Sequence, residues 1–221
     1  MFTQRSFPGN FPLIPNPESQ ILVRRLDLVE YLPTWRAMQD FTARRNADTE
    51  DELWLLQHLP VYTLGLNGKP EHLPQDSAIS VIKTDRGGQI TYHGPGQIVA
   101  YLLLDMRRLS IGARGLVRCM EQSVIDLLEG YGISAQARID APGVYVNGSK
   151  IAALGLRIKQ GCCYHGLALN VDMDLRPFRA INPCGHPGIQ ITQLRDLGVV
   201  ESLDRLSEKL SEKLIYHLHK T

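Results

Sequence analysis

The distribution of apolar and polar positions along the chain predicts a mixture of strands and helices. Short runs rich in β-branched and other apolar residues indicate strands over residues 21–28, 52–58, 61–66, 78–83, 98–104 and 167–171. The run 98–104 is apolar at every position, which is typical of a central strand covered on both faces. Asn147 and Gly148 separate two further strand-like runs, and because this dipeptide accepts the positive φ angles of a tight turn, it predicts a β-hairpin.

Apolar positions spaced three or four residues apart predict three helices. The first opens at Pro33, the second spans residues 116–128 and ends at Gly130, and the third begins at Leu203. Strands and helices follow one another without the regular alternation of a doubly wound sheet, and the chain has no internal repeat. The pattern therefore predicts an α+β fold with a largely antiparallel mixed sheet and flanking helices.

The chain divides into two parts by composition. Residues 1–20 contain four prolines and predict a flexible N-terminal arm, whereas residues 21–221 have the ordinary composition of a globular domain. A length of 221 residues suits one domain with a full hydrophobic core. We therefore expect a single domain over residues 21–221.

Net charge and hydropathy argue against a nucleic-acid-binding protein and against a membrane protein. The chain has 24 Lys and Arg residues against 23 Asp and Glu residues, so it lacks the basic excess of a protein that grips nucleic acid or an anionic membrane. No apolar run approaches the ~20 residues of a membrane-spanning helix, and prolines interrupt any secretory signal in residues 1–20. We expect a cytoplasmic protein whose four cysteines are free thiols.

The densest unusual segment is 86–97, RGGQITYHGPGQ, which we expect to be an irregular loop between two strands. Its glycines allow close approach to a ligand, and Arg86, Tyr92, His93 and Gln97 surround that backbone with polar groups. A turn-rich connection without a ligand is the alternative. The segment lacks the Lys-Ser/Thr ending of a phosphate-binding loop and the spacing of a dinucleotide fingerprint, so we expect no nucleotide cofactor.

Cys184 is a candidate nucleophile. Pro183 and Gly185 flank it, so the thiol belongs to a turn that can present it to a cavity. A nucleophilic cysteine needs exposure and a nearby positive or basic group, whereas a small buried thiol is the commonest alternative.

Lys150 is a candidate for that basic group. Strand parity puts it on the apolar side with Ala152, Leu154 and Leu156 if no bulge intervenes, and a lysine there is usually paired. At ~4 Å from a thiolate and an effective dielectric constant of ~20, it would contribute about 4 kcal/mol, enough to lower the thiol pKa by up to about 3 units. It can act as electrostatic activator, as general base, or as both. A side chain that reaches water at the end of the hairpin is the competing interpretation.

A zinc site was considered and is not expected. Structural zinc uses ligand pairs two to four residues apart, a spacing that these residues do not match: Cys162, Cys163, His165, Cys184 and His186. His165 shares strand parity with Leu167 and Leu169, which favours a core histidine over a metal ligand.

Five motifs, in this order and spacing, resemble the lipoyl(octanoyl) transferase family. They are RGGQITYHGPGQ at 86–97, APGVYV at 141–146, GSKIAALGLRI at 148–158, HGLALNV at 165–171 and INPCG at 181–185. The resemblance covers about residues 21–200 and implies the biotin/lipoate protein ligase fold, with residues 21–221 as the catalytic domain.

The resemblance also implies an activity. Members of the family take an octanoyl group from acyl carrier protein onto a cysteine and pass it to a lysine of a lipoyl domain. These lipoyl domains belong to 2-oxoacid dehydrogenase complexes and to the glycine cleavage H protein. Cys184 would carry the acyl thioester, and Lys150 would lower its pKa and relay protons. Thioester exchange is nearly isoenergetic and thioester aminolysis runs downhill, so no cofactor is required.

The resemblance further implies a substrate site, in which Gly155, Gly166 and Ala153 would leave room for an alkyl chain. Its expected members are Arg86, Gly87, Gly88, Gln89, Ile90, Thr91, Tyr92, His93, Ala153, Leu154, Gly155, Gly166, Leu167 and Ala168. Two alternatives remain at this point, an ATP-dependent lipoate or biotin ligase and a carrier-binding module without activity.

Acidic partner proteins would dock on basic clusters. Three sets of arginines are candidates, namely Arg44 with Arg45, Arg107 and Arg108 with Arg114 and Arg118, and Arg176 with Arg179.

Overall fold

The computed structural model describes residues 13–14, 21–74, 77–181 and 189–220. In these ranges the chain forms eleven strands and three α-helices. The strands are β1 (Leu13–Ile14), β2 (Ile21–Val29), β3 (Asp51–His58), β4 (Val61–Leu64), β5 (Val81–Lys83), β6 (Ile90–His93), β7 (Gln97–Asp105), β8 (Gln136–Ala137), β9 (Gly143–Val146), β10 (Ser149–Lys159) and β11 (Cys162–Asn170). The helices are α1 (Tyr31–Arg44), α2 (Ala113–Glu129) and α3 (Leu203–His219).

Eight strands form the main sheet, in the order β1-β2-β3-β7-β11-β10-β9-β8. In the described part of the chain, β2 and β3 run parallel and the other neighbours are antiparallel. The central strand β7 is buried along all but its last residue, because every position of the run 98–104 is apolar. The prediction of an α+β fold with a largely antiparallel mixed sheet is confirmed. Most of the predicted arm, residues 1–12 and 15–20, lies outside the described residues, and the single-domain assignment of 21–221 stays a prediction.

A second sheet of three strands, β5-β4-β6, covers one end of the main sheet. Its strand β6 lies inside the segment 86–97, so the prediction of an irregular loop there was wrong in part. Ile90, Thr91 and Tyr92 favour extended backbone, while the glycines stand on either side of them at 87–88 and 94–96. The glycines therefore shape the two turns that flank a strand.

Helices cover both faces of the main sheet. On one face α2 and α3 build the larger core, to which Leu116, Val124 and Leu210 contribute fully buried side chains. On the other face α1 places Met38 against a smaller core that includes Tyr101 of β7. The candidate site lies on this second face, next to the smaller sheet.

The predicted hairpin is present between β9 and β10. Asn147 and Gly148 have φ angles of 48° and 81°, as a two-residue turn of this kind requires. Three residues later the pairing shifts register between Lys150 and Ala152. Because of this bulge, both Ile151 and Ala152 face the core under α2 and α3. Lys150 therefore lies on the opposite face from Ala152, and the parity expected in the absence of a bulge does not apply here.

Candidate functional site

A cavity opens between the main sheet and the smaller sheet. It encloses about 720 Å³, counting its open mouth. Strands β10 and β11 form its floor, β6 and the preceding turn form one wall, and Phe178 and Ile191 close another side. Its largely apolar lining suits an acyl chain.

Most of the residues expected at the substrate site line this cavity. They are Arg86, Gly88, Gln89, Ile90, Thr91, His93, Ala153, Leu154, Gly155, Gly166, Leu167 and Ala168, together with Lys150. Gly87 and Tyr92 do not. The Gly87 N–H donates to the carbonyl of Leu156 at 2.8 Å, and the ring of Tyr92 packs against Tyr62 and Phe178 beneath the smaller sheet. The remaining candidate, Cys184, lies outside the described residues.

Lys150 lies on the cavity face of β10 with its side chain 2% exposed. Its Nζ donates to the carbonyl oxygen of Pro142 at 3.1 Å and stands 5.1 Å from the centroid of the Tyr145 ring. The carbonyl oxygen and the aromatic face both offer negative partial charge to the Nζ group. Lys150 is thus held in place by two partners at this end of the cavity.

The segment after residue 188 pairs with the strand that carries Lys150. The Lys150 N–H donates to the carbonyl of Gln190 at 2.8 Å, and the Thr192 N–H donates to the carbonyl of Lys150 at 3.0 Å. Ile191, between them, lines the cavity. On the other side of residues 182–188, Ile181 is buried in the cluster that contains Phe178, another cavity residue. Ile191, after Cys184, therefore lines the cavity that contains Lys150, and Ile181, before Cys184, packs with the cavity residue Phe178.

A chain of hydrogen bonds begins at Arg86 and runs beneath the cavity. The guanidinium donates from Nε and Nη2 to the hydroxyl of Thr63, at 3.1 and 2.8 Å. That hydroxyl in turn donates to Nε2 of His93 at 3.3 Å, and Nδ1 of His93 donates to Oε1 of Gln97 at 2.7 Å. Because the two ring nitrogens have opposite roles, this arrangement selects the neutral imidazole.

The same chain continues from Gln97 to the backbone of Lys150. The Gln97 amide donates to Oδ1 of Asn170 at 2.9 Å, and the Asn170 amide donates to the carbonyl of Thr192 at 3.0 Å. Thr192 is the residue whose N–H reaches the Lys150 carbonyl. The turn that begins at Arg86 is thus connected through side chains to the strand that carries Lys150.

Burial keeps the histidines of this region neutral. Loss of solvation, with a smaller contribution from nearby His58, lowers the pKa of His93 to about 3. Burial likewise lowers the pKa of His58 to about 4. Nδ1 of His58 donates to the carbonyl of Val29 at 3.1 Å, so Nε2 of the neutral ring accepts from the hydroxyl of Tyr101 at 2.7 Å. Neither histidine carries a proton to spare near neutral pH, so both orient neighbours and do not act as acids.

A second polar cluster surrounds Asp85, whose partner His165 lines the cavity. Its carboxylate accepts from Trp35 at 2.8 Å, from Gln39 at 3.0 Å and from His165 at 3.0 Å, and also from the hydroxyl of Tyr164. Burial of Asp85 opposes ionisation, but these hydrogen bonds outweigh it and hold its pKa below the usual range. The carboxylate therefore stays charged and fixes four side chains.

His165 reaches this cluster because its backbone departs from regular strand geometry. Its φ is 64°, so its ring stacks with that of the preceding residue, Tyr164, at 5.1 Å between centroids. His165 therefore does not share a side of the sheet with Leu167 and Leu169, because those two residues face the larger core under α2 and α3. The prediction of a buried histidine with a hydrogen-bond partner holds, with Asp85 as the partner.

The two glycines of the floor are required by the protein backbone itself. A Cβ on Gly166 would stand 2.0 Å from the carbonyl oxygen of Ala100 in β7. A Cβ on Gly155 would stand 3.1 Å from the carbonyl oxygen of Gly87, whose turn crosses over β10. Gly166 thus permits close strand packing and Gly155 permits the covering turn, whereas Ala153 is the floor residue with a small side chain.

Several cavity residues escaped the sequence analysis. Tyr31, Val99, Tyr101, Asn170 and Ile191 all line the cavity. Val99 and Tyr101 belong to β7, where Ala168 and Gly166 of β11 are their register partners. The sequence of an apolar strand does not indicate which of its residues face a ligand. Val99 and Tyr101 could have been found only from the pairing of β7 with β11, the strand that contains Gly166.

The other thiols of the described chain are buried. Burial raises the pKa of Cys163 to about 12 and also raises the pKa of Cys119. Among the described residues, no group of three or more His, Cys, Asp or Glu side chains is arranged to hold a metal ion. Cys184 and His186 of the zinc set considered above lie outside that part of the chain.

The arginine sets differ in their surroundings. Arg45 is buried and pairs with Asp51, so it serves the fold and is not available for docking. Arg176 pairs with Asp174 at the surface, and Arg179 is exposed one residue after Phe178 of the cavity wall. The third set therefore lies beside the cavity.

Within the described part of the chain, no helix has both the length and the apolar composition needed to cross a membrane.

Comparison with known proteins identifies close relatives. The family model of the lipoyl protein ligase A/B catalytic domain matches residues 30–215. An octanoyltransferase of Nitrosospira multiformis is 60% identical over 207 residues, which is 94% of this chain and 96% of the relative. An octanoyltransferase of Thiobacillus denitrificans is 59% identical over 93% of this chain and 96% of the relative.

Solved structures with a similar fold are more distant in sequence. A bipartite lipoate protein ligase of Thermoplasma acidophilum, described with its E2 lipoyl domain, has a TM-score of 0.68 at 18% identity and covers 88% of this chain and 83% of its own. A biotin protein ligase of Aquifex aeolicus in complex with biotin and ATP has a TM-score of 0.56 at 12% identity, over 90% of this chain and 70% of its own. At these identities the likeness concerns the fold.

Proposed function

Since the chain belongs to the lipoyl protein ligase A/B catalytic domain family, we propose that it moves an octanoyl group from octanoyl-acyl carrier protein, through a thioester on Cys184, to a lysine of lipoyl domains. It is an acyltransferase of the octanoyltransferase type, as relatives about 60% identical over nearly its whole length are. The donor, the covalent intermediate and the roles of individual residues are the proposal.

The burial of Lys150 in the cavity is the observation that carries the proposal. The rest of the cavity is largely apolar; Ile191 after Cys184 lines it, and Ile181 before Cys184 packs with the cavity residue Phe178. A buried positive charge near a thiol favours the thiolate, which is the nucleophilic form. Lys150 thus favours the Cys184 thiolate, and the single proton of the thiol–lysine pair is held on Lys150.

In the first step the Cys184 thiolate attacks the thioester carbonyl of the donor. A bond forms between the carbonyl carbon and the Cys184 sulfur, and the bond to the sulfur of the carrier's prosthetic group breaks. The departing carrier thiolate takes the proton held by Lys150. One thioester replaces another, so no nucleotide is consumed and the octanoyl group remains on the enzyme.

In the second step the neutral amine of the acceptor lysine attacks the octanoyl thioester. A carbon–nitrogen bond forms, the bond to the Cys184 sulfur breaks, and the one proton lost by the amine goes to Lys150, which restores the pair of ammonium and Cys184 thiolate. The product is an amide, which is more stable than a thioester, so the step is irreversible. Lys150 therefore has neutral and charged forms in alternation, which combines the roles of base and activator.

The remaining cavity residues bind and orient the acyl chain. Ala153, Ala168 and Val99 are register partners across β10, β11 and β7, and their small side chains form an apolar floor. The neutral ring of His93 lines the same cavity, with both ring nitrogens held by Gln97 and Thr63. His93 fixes the shape of the site and takes no part in proton transfer.

Acidic partner domains dock on Arg176 and Arg179, the arginine set beside the cavity wall. The donor is acyl carrier protein, and the acceptors are lipoyl domains of 2-oxoacid dehydrogenase complexes and the glycine cleavage H protein. The lipoyl domain is supported by the family match and by the T. acidophilum ligase that is described with its E2 lipoyl domain. The enzyme works in the cytoplasm and requires neither metal nor cofactor.

Intact mass spectrometry tests the intermediate. Octanoyl-acyl carrier protein is mixed with the wild-type protein, with Cys184→Ala and with Cys162→Ala, whose thiol is buried. We expect a mass increase of one octanoyl group on the wild type and on Cys162→Ala, and none on Cys184→Ala. Hydroxylamine removes the adduct because thioesters react with it.

An octanoyl adduct that persists in Cys184→Ala overturns the assignment of the nucleophile. Transfer that needs ATP and free octanoate, and that proceeds without Cys184, identifies an ATP-dependent ligase. Binding of acyl carrier protein with no acylation and no turnover identifies a carrier-binding module.

A further inference from the structure

One peptide group, between Pro142 and Gly143, is held at both ends by charged side chains. Its carbonyl oxygen accepts from Nζ of Lys150 at 3.1 Å. Its N–H donates to Oε1 of Glu121 at 3.0 Å. A carboxylate of helix α2 and the ammonium of the cavity are thus joined through a single planar unit.

Glu121 is placed where a carboxylate is uncommon. Glu121 is 8% exposed, and Met120 and Val124, its neighbours on α2, belong to the larger core. Its outer side borders a shallow surface cavity with Cys119 and Gln122. Buried carboxylates are retained where they have partners, and the described partner of this one is the Gly143 N–H.

Gly143 is shaped for this connection. Its φ is 147°, and a Cβ would stand 2.7 Å from the carbonyl oxygen of Ala152 and 3.0 Å from Cε and Nζ of Lys150. A residue with a side chain would therefore displace the lysine. The next residue but one, Tyr145, holds the start of the segment, since its hydroxyl donates to the carbonyl of Ala141 at 2.7 Å.

An anion at the N–H end of a peptide increases the negative charge on its carbonyl oxygen, because hydrogen bonds in a chain polarise one another. Glu121 therefore strengthens the acceptor that holds Lys150 Nζ and also keeps the peptide from rotating. Attraction between the two charges acts in the same direction: burial raises the pKa of Glu121, and both the Gly143 N–H and Lys150 oppose that rise.

We propose that Glu121 is a positioning residue for Lys150, acting through the Pro142–Gly143 peptide. It fixes where the Lys150 Nζ group stands and how strongly that group is held. The importance of this for catalysis rests on the role of Lys150 under the proposed function, whereas its effect on the position of Lys150 does not.

Two variants of Glu121 separate its two contributions. Glu121→Gln retains an oxygen acceptor for the Gly143 N–H and removes the charge, and Glu121→Met removes both. Glu129→Gln is the matched control, since Glu129 is exposed at the end of the same helix. Lys150 is observed directly by reductive methylation with ¹³C-formaldehyde and NMR, and its signal is the one that disappears in Lys150→Arg.

We expect the Lys150 signal to move in Glu121→Met, to move less in Glu121→Gln, and to stay in place in Glu129→Gln. Octanoyl transfer by Glu121→Met should have a kcat about 10-fold lower or more, with KM for the acceptor lipoyl domain within about 2-fold and with Glu121→Gln between the two. Melting temperatures recorded for all variants identify protein that is not folded. If Glu121→Gln retains more activity than Glu121→Met, the difference measures the hydrogen bond to the Gly143 N–H, and the remaining loss in Glu121→Gln measures the charge.

A Lys150 signal that coincides with wild type in Glu121→Met overturns the inference, whatever the activity does. A signal that moves while kcat is unchanged supports the position of Lys150 and instead contradicts the proposed catalytic role of that lysine. Should Glu121→Met fail to fold, the same comparison between Glu121→Gln and Glu129→Gln decides.

Discussion

Lys150 lies directly opposite Tyr145 on the β9–β10 hairpin, and its ammonium nitrogen stands 5.1 Å from the centroid of the Tyr145 ring. The pair occupies the cavity side of the hairpin, while Val144 and Val146 face the helices on the other side. Tyr145 thereby gives a buried cation an aromatic surface in place of water.

Replacement of Lys150 by Met should slow octanoyl transfer by about 100-fold or more, because activation of the thiol and proton relay are both lost. Alkylation of Cys184 by iodoacetamide near neutral pH should slow as well, since less of the thiol is ionised. Single-turnover transfer and the rate of alkylation against pH measure the two effects. Lys159→Met, at the exposed end of the same strand, serves as the control. An unchanged alkylation profile in Lys150→Met would remove the activating role.

Replacement of Gly143 by Ala should destabilise the protein by about 1–3 kcal/mol, because a positive φ and a close contact with Ala152 are imposed on a side chain. Activity per folded molecule should also fall, since the new methyl group meets Lys150. Urea denaturation gives the free energy of unfolding. Gly112→Ala meets nothing within 4 Å and should change it by less than about 0.5 kcal/mol. Equal stability of the two variants contradicts the prediction.

Replacement of Ala153 by Leu should shift the preferred acyl chain to shorter lengths. Three added carbons reduce the cavity above the floor, so kcat/KM for octanoyl donor should fall about 10-fold or more while that for butanoyl donor changes little. Competition between donors of four to twelve carbons measures the preference. Ala137→Leu, on an exposed edge strand, is the control. A uniform loss at all chain lengths indicates general disruption and speaks against a role in chain-length choice.

Folding stability should decrease as the pH falls from about 6.5 towards 4. The pKa of His58 is lowered to about 4 and that of His93 to about 3, against ~6.5 in the unfolded chain, so the unfolded chain binds more protons within that window. Each histidine contributes up to about 1.4 kcal/mol per pH unit. In His93→Gln the slope of the unfolding free energy against pH should be smaller by the contribution of one histidine. In His219→Gln the slope should equal that of the wild type. A slope shared by all three proteins rules out these buried histidines as its cause.

Reversal of charge at Arg179 should weaken docking of an acidic carrier. For Arg179→Glu we expect KM for octanoyl-acyl carrier protein to rise about 5-fold or more at low salt, with kcat nearly unchanged and with the difference reduced at high salt. Arg114→Glu is the matched control, because Arg114 is exposed at the start of α2, the helix that covers the face opposite the cavity. A KM that rises equally in both variants reflects net charge and excludes a specific docking site at Arg179.

Local patterns predicted most of the fold. The turn at Asn147 and Gly148, the apolar strand 98–104 and the helix that ends at Gly130 each depend on neighbours along the chain, and all three are present. Their signals are short-range because turn geometry and strand burial are set by a few consecutive residues.

The candidate site required information that no local pattern contains. The bulge at Ile151 reverses the face of Lys150, and the positive φ of His165 reverses that of its ring, although both lie in runs that read as regular strands. Asp85 and Glu121 acquire their roles from partners far away in sequence, in β11 and in the turn before β9. Parity rules fail at such irregularities, and these irregularities are where the polar groups converge.

The hydrogen-bond chain from His93 to the Lys150 backbone contains the side-chain amides of Gln97 and Asn170. Protons hop along hydrogen bonds through groups that can gain one proton while releasing another, as water, hydroxyls and imidazole do, whereas an amide holds its hydrogens. The side-chain amides of Gln97 and Asn170 therefore interrupt proton transfer along this chain of hydrogen bonds. His93 cannot exchange a proton with the region of Lys150 by this path, however rigidly the path connects them.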